Sequence, residues 1–184
     1  MSAELHSLSR TGILSILIQA LALIAVLAYN RLLFIDYLHV LSAAMWFGSN
    51  VLMGVIFYRL VKTMPQEDQL DISRRFLPLT LYFLPSISIT TIITGISLLS
   101  KVGQYVPSSI RLAIYLIASV LLILSIAGYV PNSLYLYRMF SSGKYDGAKM
   151  VSRSLSNFKI SLVQTVIQLA MIGIMAYVVS VLIP

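Results

Sequence analysis

The sequence predicts an all-α protein, a polytopic membrane bundle of five transmembrane helices. Of its 184 residues, 59% are hydrophobic and 10% are charged, whereas a soluble domain averages roughly 25% charged residues. The apolar residues form continuous runs of about 20 residues or more, the length that a helix needs to cross a bilayer. Strands of a membrane barrel would alternate apolar and polar residues over about ten positions. Cysteine is absent, which excludes disulfides, iron–sulfur clusters and thiolate-bound haem.

The first two apolar runs, residues 11–29 and 33–60, are separated by a tight connection at Asn30 and Arg31. The first run is expected to be a retained helix and not a signal peptide. It is long for a signal sequence, and no small-residue cleavage site follows it before Arg31. Gln19, near its middle, is expected to hydrogen-bond a neighbouring helix.

Residues 62–75 form a polar segment that predicts a short surface helix on the membrane face. Pro65 suits a first helical position, acidic residues occupy the first turn, and two arginines occupy the last turn. The third span is expected at residues 76–100. It carries two prolines one heptad apart, and each removes a backbone donor and bends the helix.

The fourth span is expected at residues 110–137, interrupted near its end by the glycine- and proline-containing stretch 128–132. A polar, basic loop is expected at residues 138–158, and the fifth span at residues 159–183. Together the spans form a single integral membrane domain. On the fifth span, four side chains spaced i, i+4, i+7 and i+11 share one stripe: Gln164, Gln168, Met171 and Met175.

The distribution of lysine and arginine predicts the orientation of this domain, residues 1–184. Three basic residues, Arg31, Lys101 and Arg111, fall on one side of the five spans, and the other ten of the thirteen fall on the side of the N-terminus. Because basic residues mark the cytoplasmic side, we expect a multi-pass plasma-membrane protein with a cytoplasmic N-terminus and an external C-terminus. The net charge of +7 then reflects contact with the anionic lipid bilayer and not nucleic-acid binding.

The second span carries the strongest candidate for a functional site. His39 is the one histidine inside an apolar run, and it shares a helical face with Trp46, the one tryptophan. A histidine at membrane depth is costly without a partner and is therefore a functional candidate by default. Asp36, one turn earlier, is expected to orient the imidazole by accepting a proton from Nδ1. Trp46 either fills the core or forms the wall of a flat cofactor's pocket.

Position along the spans places Met171 and Met175 at a depth similar to that of His39. A His–Met pair suits b-type haem or copper, so His39 and Met175 are the candidate metal ligands, with Met171 as the other possible thioether. The alternative is that His39 only hydrogen-bonds a hydroxyl or carbonyl of a neighbouring helix and that the methionines only pack. Apart from His39 and Asp36, the spans carry no acid–base pair, which disfavours hydrolytic chemistry.

The run His39-Val-Leu-Ser-Ala-Ala-Met-Trp46-Phe-Gly48 resembles the His-x6-Trp-x-Gly pattern of small membrane proteins related to the copper-resistance D domain. It is also similar to the haem-containing membrane protoporphyrinogen oxidases. The likeness covers roughly residues 33–137, and it implies that His39 binds haem. The oxidases have a second histidine that opens a later helix, whereas residues 108–113 here read Ser-Ser-Ile-Arg-Leu-Ala.

These observations favour an integral membrane haem-binding redox protein, with quinone as the electron partner. Two alternatives stay open, and whether the chain is an enzyme stays open with them. One is a non-catalytic structural or assembly subunit of a larger respiratory or transport complex, or a homo-oligomer. Ala44 and Gly48 would then supply small-residue contacts away from the His39 stripe. The other alternative is copper uptake.

Overall fold

Long apolar segments form long helices because every backbone polar group then finds its partner within the segment. The computed structural model describes residues 2–143 and 146–182, and this part of the chain contains helices and no strand. Five helices are long and apolar enough to cross a membrane, which confirms the predicted all-α class and number of candidate spans. They are α1 (Ser2–Tyr29), α2 (Leu32–Lys62), α3 (Gln66–Tyr105), α4 (Ser108–Ser142) and α5 (Gly147–Ser180). The predicted end of the last span, residue 183, lies outside the described residues.

Two polar segments that were expected outside the spans belong to the long helices. The helix predicted after Pro65 is confirmed and begins at Gln66. It is not a separate surface helix, because it continues without a break as α3. The loop predicted at residues 138–158 is also wrong, since α4 runs to Ser142 and α5 begins at Gly147. The physical reason is that these polar extensions bury one face against each other, where Met150 packs with apolar side chains of α3 and α4.

Four helices widen into a π-helical turn in the described chain, at Leu52–Phe57 in α2, Leu79–Phe83 in α3, Leu124–Tyr129 in α4 and Val178–Leu182 where α5 ends. Such turns accommodate local breaks in the regular hydrogen bonding of a helix. In α3 the widened turn lies between Pro78 and Pro85, and the chain stays helical through both prolines. The interruption predicted at residues 128–132 of α4 is absent, because the π-helical turn at Leu124–Tyr129 leads directly into the next helical turn and the chain stays helical.

Helix α1 lies at the edge of the bundle, packed on α2 and α3. Its outward face is apolar, and five of its large side chains are each more than half exposed: Leu14, Leu17, Ile18, Leu21 and Ile24. The hydrogen bond predicted for Gln19 is not made, since both polar atoms of its amide are buried without a partner in the described chain.

Buried polar side chains join α3, α4 and α5 in the half of the bundle nearer the α4–α5 turn. Asn157 Nδ2 donates to Ser133 Oγ (3.1 Å), and Ser133 Oγ donates to Thr80 Oγ1 (2.9 Å). Asn132 Nδ2 donates to Asn157 Oδ1 (3.2 Å), and its own Oδ1 accepts from Arg153 Nη1 (2.9 Å). Hydrogen bonds between helices in an apolar surrounding fix how the helices align.

Candidate functional site

A cavity of about 910 Å³ lies between α2, α3, α4 and α5, near the beginning of α2. Its volume falls within the range of about 300–1,000 Å³ that is typical of cofactor and small-molecule sites. Each of the four helices supplies apolar wall residues, among them Val40, Ile96, Ile114 and Ile172. Polar side chains in the wall are few, so each of them restricts what the cavity can bind.

The five residues predicted for the site all line this one cavity: Asp36, His39, Trp46, Met171 and Met175. The first three come from α2 and the two methionines from α5. Helical spacing places the three α2 residues on one face of α2 and the two methionines on one face of α5. Because α5 packs beside α2, both faces border the same cavity. Metal binding by His39 and Met175 stays a prediction. Within residues 2–143 and 146–182, no three His, Cys, Asp or Glu side chains come together.

The ring of His39 is held by α3. Its Nδ1 lies 3.0 Å from the backbone oxygen of Thr91 and 3.3 Å from Thr94 Oγ1. Because a carbonyl oxygen can only accept, Nδ1 carries a proton, and in the neutral imidazole the lone pair is then on Nε2. No hydrogen bond within the described chain engages Nε2. The expectation that His39 bonds a neighbouring helix is therefore confirmed for one ring nitrogen, and ligand binding by the other stays a prediction.

Asp36 does not have the orienting role predicted for it. It lines the cavity, but the proton on His39 Nδ1 goes to Thr91 instead. The reason is the close packing of α3 on α2, which brings the Thr91 carbonyl to the ring. Since Nδ1 has a single proton, none remains for the carboxylate one turn away.

Gly95 makes room for the imidazole. A Cβ added at this position would lie 2.8 Å from His39 Cε1 and 3.3 Å from Nδ1. Any side chain at residue 95 would therefore push the ring away from the Thr91 carbonyl. A glycine inside a helix, one turn after a threonine whose carbonyl accepts the bond, was the available sequence signal for this contact.

Trp46 forms part of the same wall and is 3% exposed. Its Nε1 is buried and has no hydrogen-bond partner in the described chain. Buried indole N–H groups usually find an acceptor, and the described residues provide none for this one. Trp46 belongs to the hydrophobic core, as one of its two expected roles required, and it also lines the cavity. Its role as the wall of a flat cofactor's pocket stays a prediction.

At the end of the cavity nearest Trp46, an amide cluster joins α2, α4 and α5. Asn50 Nδ2 donates to Gln164 Oε1 (2.9 Å) and Gln168 Oε1 (3.1 Å), while Asn50 Oδ1 accepts from Tyr129 OH (2.9 Å). Asn50, Gln164 and Tyr129 are fully buried. Sequence reasoning placed both glutamines on one stripe with the methionines, but it missed Asn50 and Tyr129 as their partners. Only Gln168 of this cluster lines the cavity.

The geometry therefore combines a His39 ring nitrogen that makes no hydrogen bond in the described chain and two methionines in the wall of one apolar cavity. A neutral imidazole nitrogen and thioether sulfurs are groups that can ligate a metal. No family model matches the chain, and neither a curated protein nor a solved structure is significantly similar to it.

Proposed function

We propose that this chain is an integral membrane protein that binds b-type haem in the cavity and exchanges electrons with a lipid-soluble quinone. The observation that carries the proposal is the state of His39, which lines a ligand-sized apolar cavity, with its Nδ1–H held by a backbone carbonyl and with Nε2 making no hydrogen bond in the described chain. Metal-binding histidines characteristically donate their second ring N–H to a carbonyl or carboxylate in this way.

The membrane location is supported by the surface of the bundle. Large apolar side chains are exposed on several helices, for example Leu21 on α1, Leu33 on α2 and Ile123 on α4, each more than 60% exposed. Such a surface would be unfavourable in water and suits lipid chains. The excess of basic residues beside the N-terminus and the α4–α5 turn supports a cytoplasmic position for that side, and the plasma membrane is the proposed location.

The orientation gives a first testable result. A reporter fused after Pro184 is expected to read as external, because five spans place the two termini on opposite sides and ten of thirteen basic residues lie on the N-terminal side. The side on which the C-terminus lies is measured in whole cells with two reporters, one active only in the cytoplasm and the other active only outside it. A reporter inserted at the α4–α5 turn is the matched control and should read as cytoplasmic. A cytoplasmic result after Pro184 would contradict the proposal.

The residues around the cavity fit haem in three respects. His39 Nε2 can bind the iron, and the methionines of α5 lie in the same wall as candidate second ligands. The apolar wall suits the flat ring. Lys101 precedes Val102, which lines the cavity, and the Arg111 side chain lies near Gly103. We propose these two cations as partners for the acidic substituents of the ring. When bound, haem would supply one-electron transfer, and the chain would supply its ligands, orientation and low dielectric.

The direct test is the absorption spectrum of the purified protein, before and after reduction with dithionite. We expect a Soret band and, after reduction, the sharp visible bands of a b-type haem. A colourless protein that stays colourless after haem is supplied during expression and purification would contradict the proposal. The control is a soluble protein that has no haem site and is purified in the same way, which measures the haem that adheres to detergent.

A non-catalytic subunit role is the second candidate, and the open face at Gly48 supports it. A Cβ at Gly48 would meet no described atom within 4 Å, so a helix of another subunit or of a second copy could approach closely there. Ala44 is the other residue predicted for this helix-contact surface, and it lines the cavity. The helix-contact surface and the His39 surface were expected to be separate, but they meet at Ala44. A stoichiometric partner that co-purifies with a colourless protein would favour this role over haem binding.

Copper uptake remains a weaker proposal. Beyond His39, only the thioethers of Met171 and Met175 are available in the cavity wall as soft ligands. The same purified protein tests it through its copper content after dialysis against excess copper.

A further inference from the structure

Two cations of α5 contact one aromatic ring of α4 near the α4–α5 turn. Lys149 Nζ lies 5.3 Å from the centroid of the Tyr135 ring, and the guanidinium carbon of Arg153 lies 5.7 Å from the same point. Lys149 and Arg153 are one helical turn apart, so their side chains are neighbours on the surface of α5. We call Lys149, Arg153 and Tyr135 the basic site.

The guanidinium of Arg153 is held in place by buried groups. Its Nη1 donates to Asn132 Oδ1 (2.9 Å). Asn132 is 6% exposed, and its Nδ2 donates in turn to Asn157 Oδ1 (3.2 Å). The half-buried ring of Tyr135 supports the same guanidinium. Because these contacts already restrict the arginine in the folded protein, a ligand that binds it causes less loss of conformational entropy.

Neither cation of the basic site has a countercharge. Lys149 and Arg153 are both exposed, and no carboxylate in the described ranges forms an ion pair with either of them. Helix α5 contains no acidic residue. Asp146 precedes it, and its Oδ1 accepts from the backbone N–H of Lys149 (3.1 Å). Two positive charges one helical turn apart repel each other, so an anion that contacts both would stabilise the site.

The donors that remain suit the oxygens of a phosphate group. Arg153 uses one N–H for Asn132 and keeps its other guanidinium donors, while the ammonium of Lys149 makes no hydrogen bond in the part of the chain that the structure describes. A guanidinium matches two phosphate oxygens at once, and an ammonium adds a compact charge. One phosphate group can therefore accept from both cations.

The level of the basic site along the bundle favours a lipid as the source of the phosphate. Tyr177, near the other end of α5, is 51% exposed, and tyrosines are enriched at the membrane interface. Arg153 precedes Tyr177 by 24 residues, roughly 36 Å along the helix. That length exceeds the hydrocarbon core of about 30 Å but not the thickness of about 40–45 Å that includes the headgroups. The basic site therefore lies at headgroup level when Tyr177 lies at the opposite interface.

We propose that the basic site binds a phosphate group, supplied by the headgroup of an anionic phospholipid on the side of the N-terminus. This inference rests on the proposed function only for the membrane location, and it does not depend on haem or quinone. The excess of basic residues on this side implies a diffuse attraction to anionic lipid. The basic site instead assigns one lipid molecule to three side chains whose relative positions the packing of α4 and α5 fixes.

The experiment is native mass spectrometry of the full-length protein in a neutral detergent, titrated with short-chain phosphatidylglycerol, so that each bound lipid is resolved by its mass. We expect one lipid to bind more tightly than the others. The double variant Lys149→Gln/Arg153→Gln should raise the Kd of this lipid by about tenfold or more, because hydrogen bonds to charged groups are lost. Tyr135→Leu leaves the charge unchanged and should raise the Kd about threefold through loss of the ring contacts.

The matched control is the double variant Arg59→Gln/Lys62→Gln. Both residues are exposed near the end of α2, on the same side of the bundle. Their loss changes the net charge by the same amount, but the structure describes no ring contact for either side chain. The Kd should change by less than about twofold, because solvent and salt screen such charges. Equal losses of affinity in the two double variants would show attraction by overall charge alone and would overturn the proposal.

Inorganic phosphate is the arm that identifies the source of the phosphate group. An equal concentration of inorganic phosphate is expected to leave the lipid bound, because it lacks the acyl chains that contact the apolar surface. Leu134, next to Tyr135, is 39% exposed and belongs to that surface. Displacement of the lipid by inorganic phosphate would assign the basic site to a free ion and would overturn the lipid headgroup as its ligand.

The haem proposal can fail without affecting this inference. Arg153 lies 15 residues before Gln168, the first α5 residue in the cavity wall, which is roughly 22 Å along the helix. A colourless protein whose tight lipid binding requires Lys149 and Arg153 would support the inference and contradict haem binding. A haem-containing protein that binds no phosphatidylglycerol tightly would overturn the inference and leave the haem proposal standing.

Discussion

Replacing His39 with alanine is expected to abolish the haem absorbance of the purified protein while the five helices stay folded. His39 provides the one imidazole in the cavity wall, and helix formation in lipid depends on backbone hydrogen bonds and not on this side chain. The measurement is haem absorbance per mole of protein, with circular dichroism of the same sample as the check on folding. An unchanged spectrum in a folded His39→Ala protein would assign the imidazole to helix packing alone.

Two variants control this experiment. Thr94→Val removes the longer of the two contacts to His39 Nδ1 (3.3 Å) and leaves the Thr91 carbonyl in place. Haem affinity should therefore fall by no more than about tenfold, the lower end of what loss of an outer hydrogen bond to a ligand costs. Met175→Ala should retain haem with a lower reduction potential and a shifted spectrum if the thioether is the second ligand.

Replacing Gly54 with alanine is expected to destabilise the bundle strongly. A Cβ at this position would lie 2.3 Å from the backbone nitrogen of Leu162 and 2.7 Å from the carbonyl carbon of Ser161. Backbone atoms of α5 cannot move aside as a flexible side chain can, so α2 and α5 would have to separate. Overpacking of this kind costs about 1–3 kcal/mol or more. The separation would also strain the hydrogen bond between Asn50 and Gln164.

Gly48→Ala is the matched control because it changes the same residue type on the same helix. No described atom lies within 4 Å of its added Cβ, so stability should change by no more than about 0.5 kcal/mol. Both variants are measured by reversible unfolding in mixed detergent micelles. Equal stability of Gly54→Ala and Gly48→Ala would show that the close approach of α2 and α5 at Gly54 is not required for folding.

Two roles were expected for His39, metal binding and a hydrogen bond to a neighbouring helix, and the contacts of its ring are compatible with both. A histidine that only joined two helices would need one ring nitrogen, and the Thr91 carbonyl satisfies that need. The remaining nitrogen makes no hydrogen bond in the described chain, and the residue lines a cavity. The same contact that stabilises the pairing of α2 and α3 thus also fixes the tautomer that a metal requires, with the lone pair on Nε2.

Much of the fold could be predicted from local properties of the sequence. The length and apolarity of a run are set by neighbouring residues, and these determine that the chain forms five long helices. The boundaries were less predictable. The stretch 62–75 was expected as a separate helix and the stretch 138–158 as a loop. Apart from short turns, their described residues continue the long helices, because they bury one face against each other.

The sequence by itself determined which helix faces carry the chemistry, since helical spacing groups His39 with Trp46 and Met171 with Met175. Only the tertiary structure decided how these groups are used. The partner of His39 Nδ1 is a backbone oxygen 52 positions away, and backbone atoms leave no signature in a sequence. The position of the Arg153 guanidinium likewise follows from Asn132 and Tyr135 on another helix. A hydrogen bond between helices depends on their relative placement, which is a property of the packed bundle and not of any single segment.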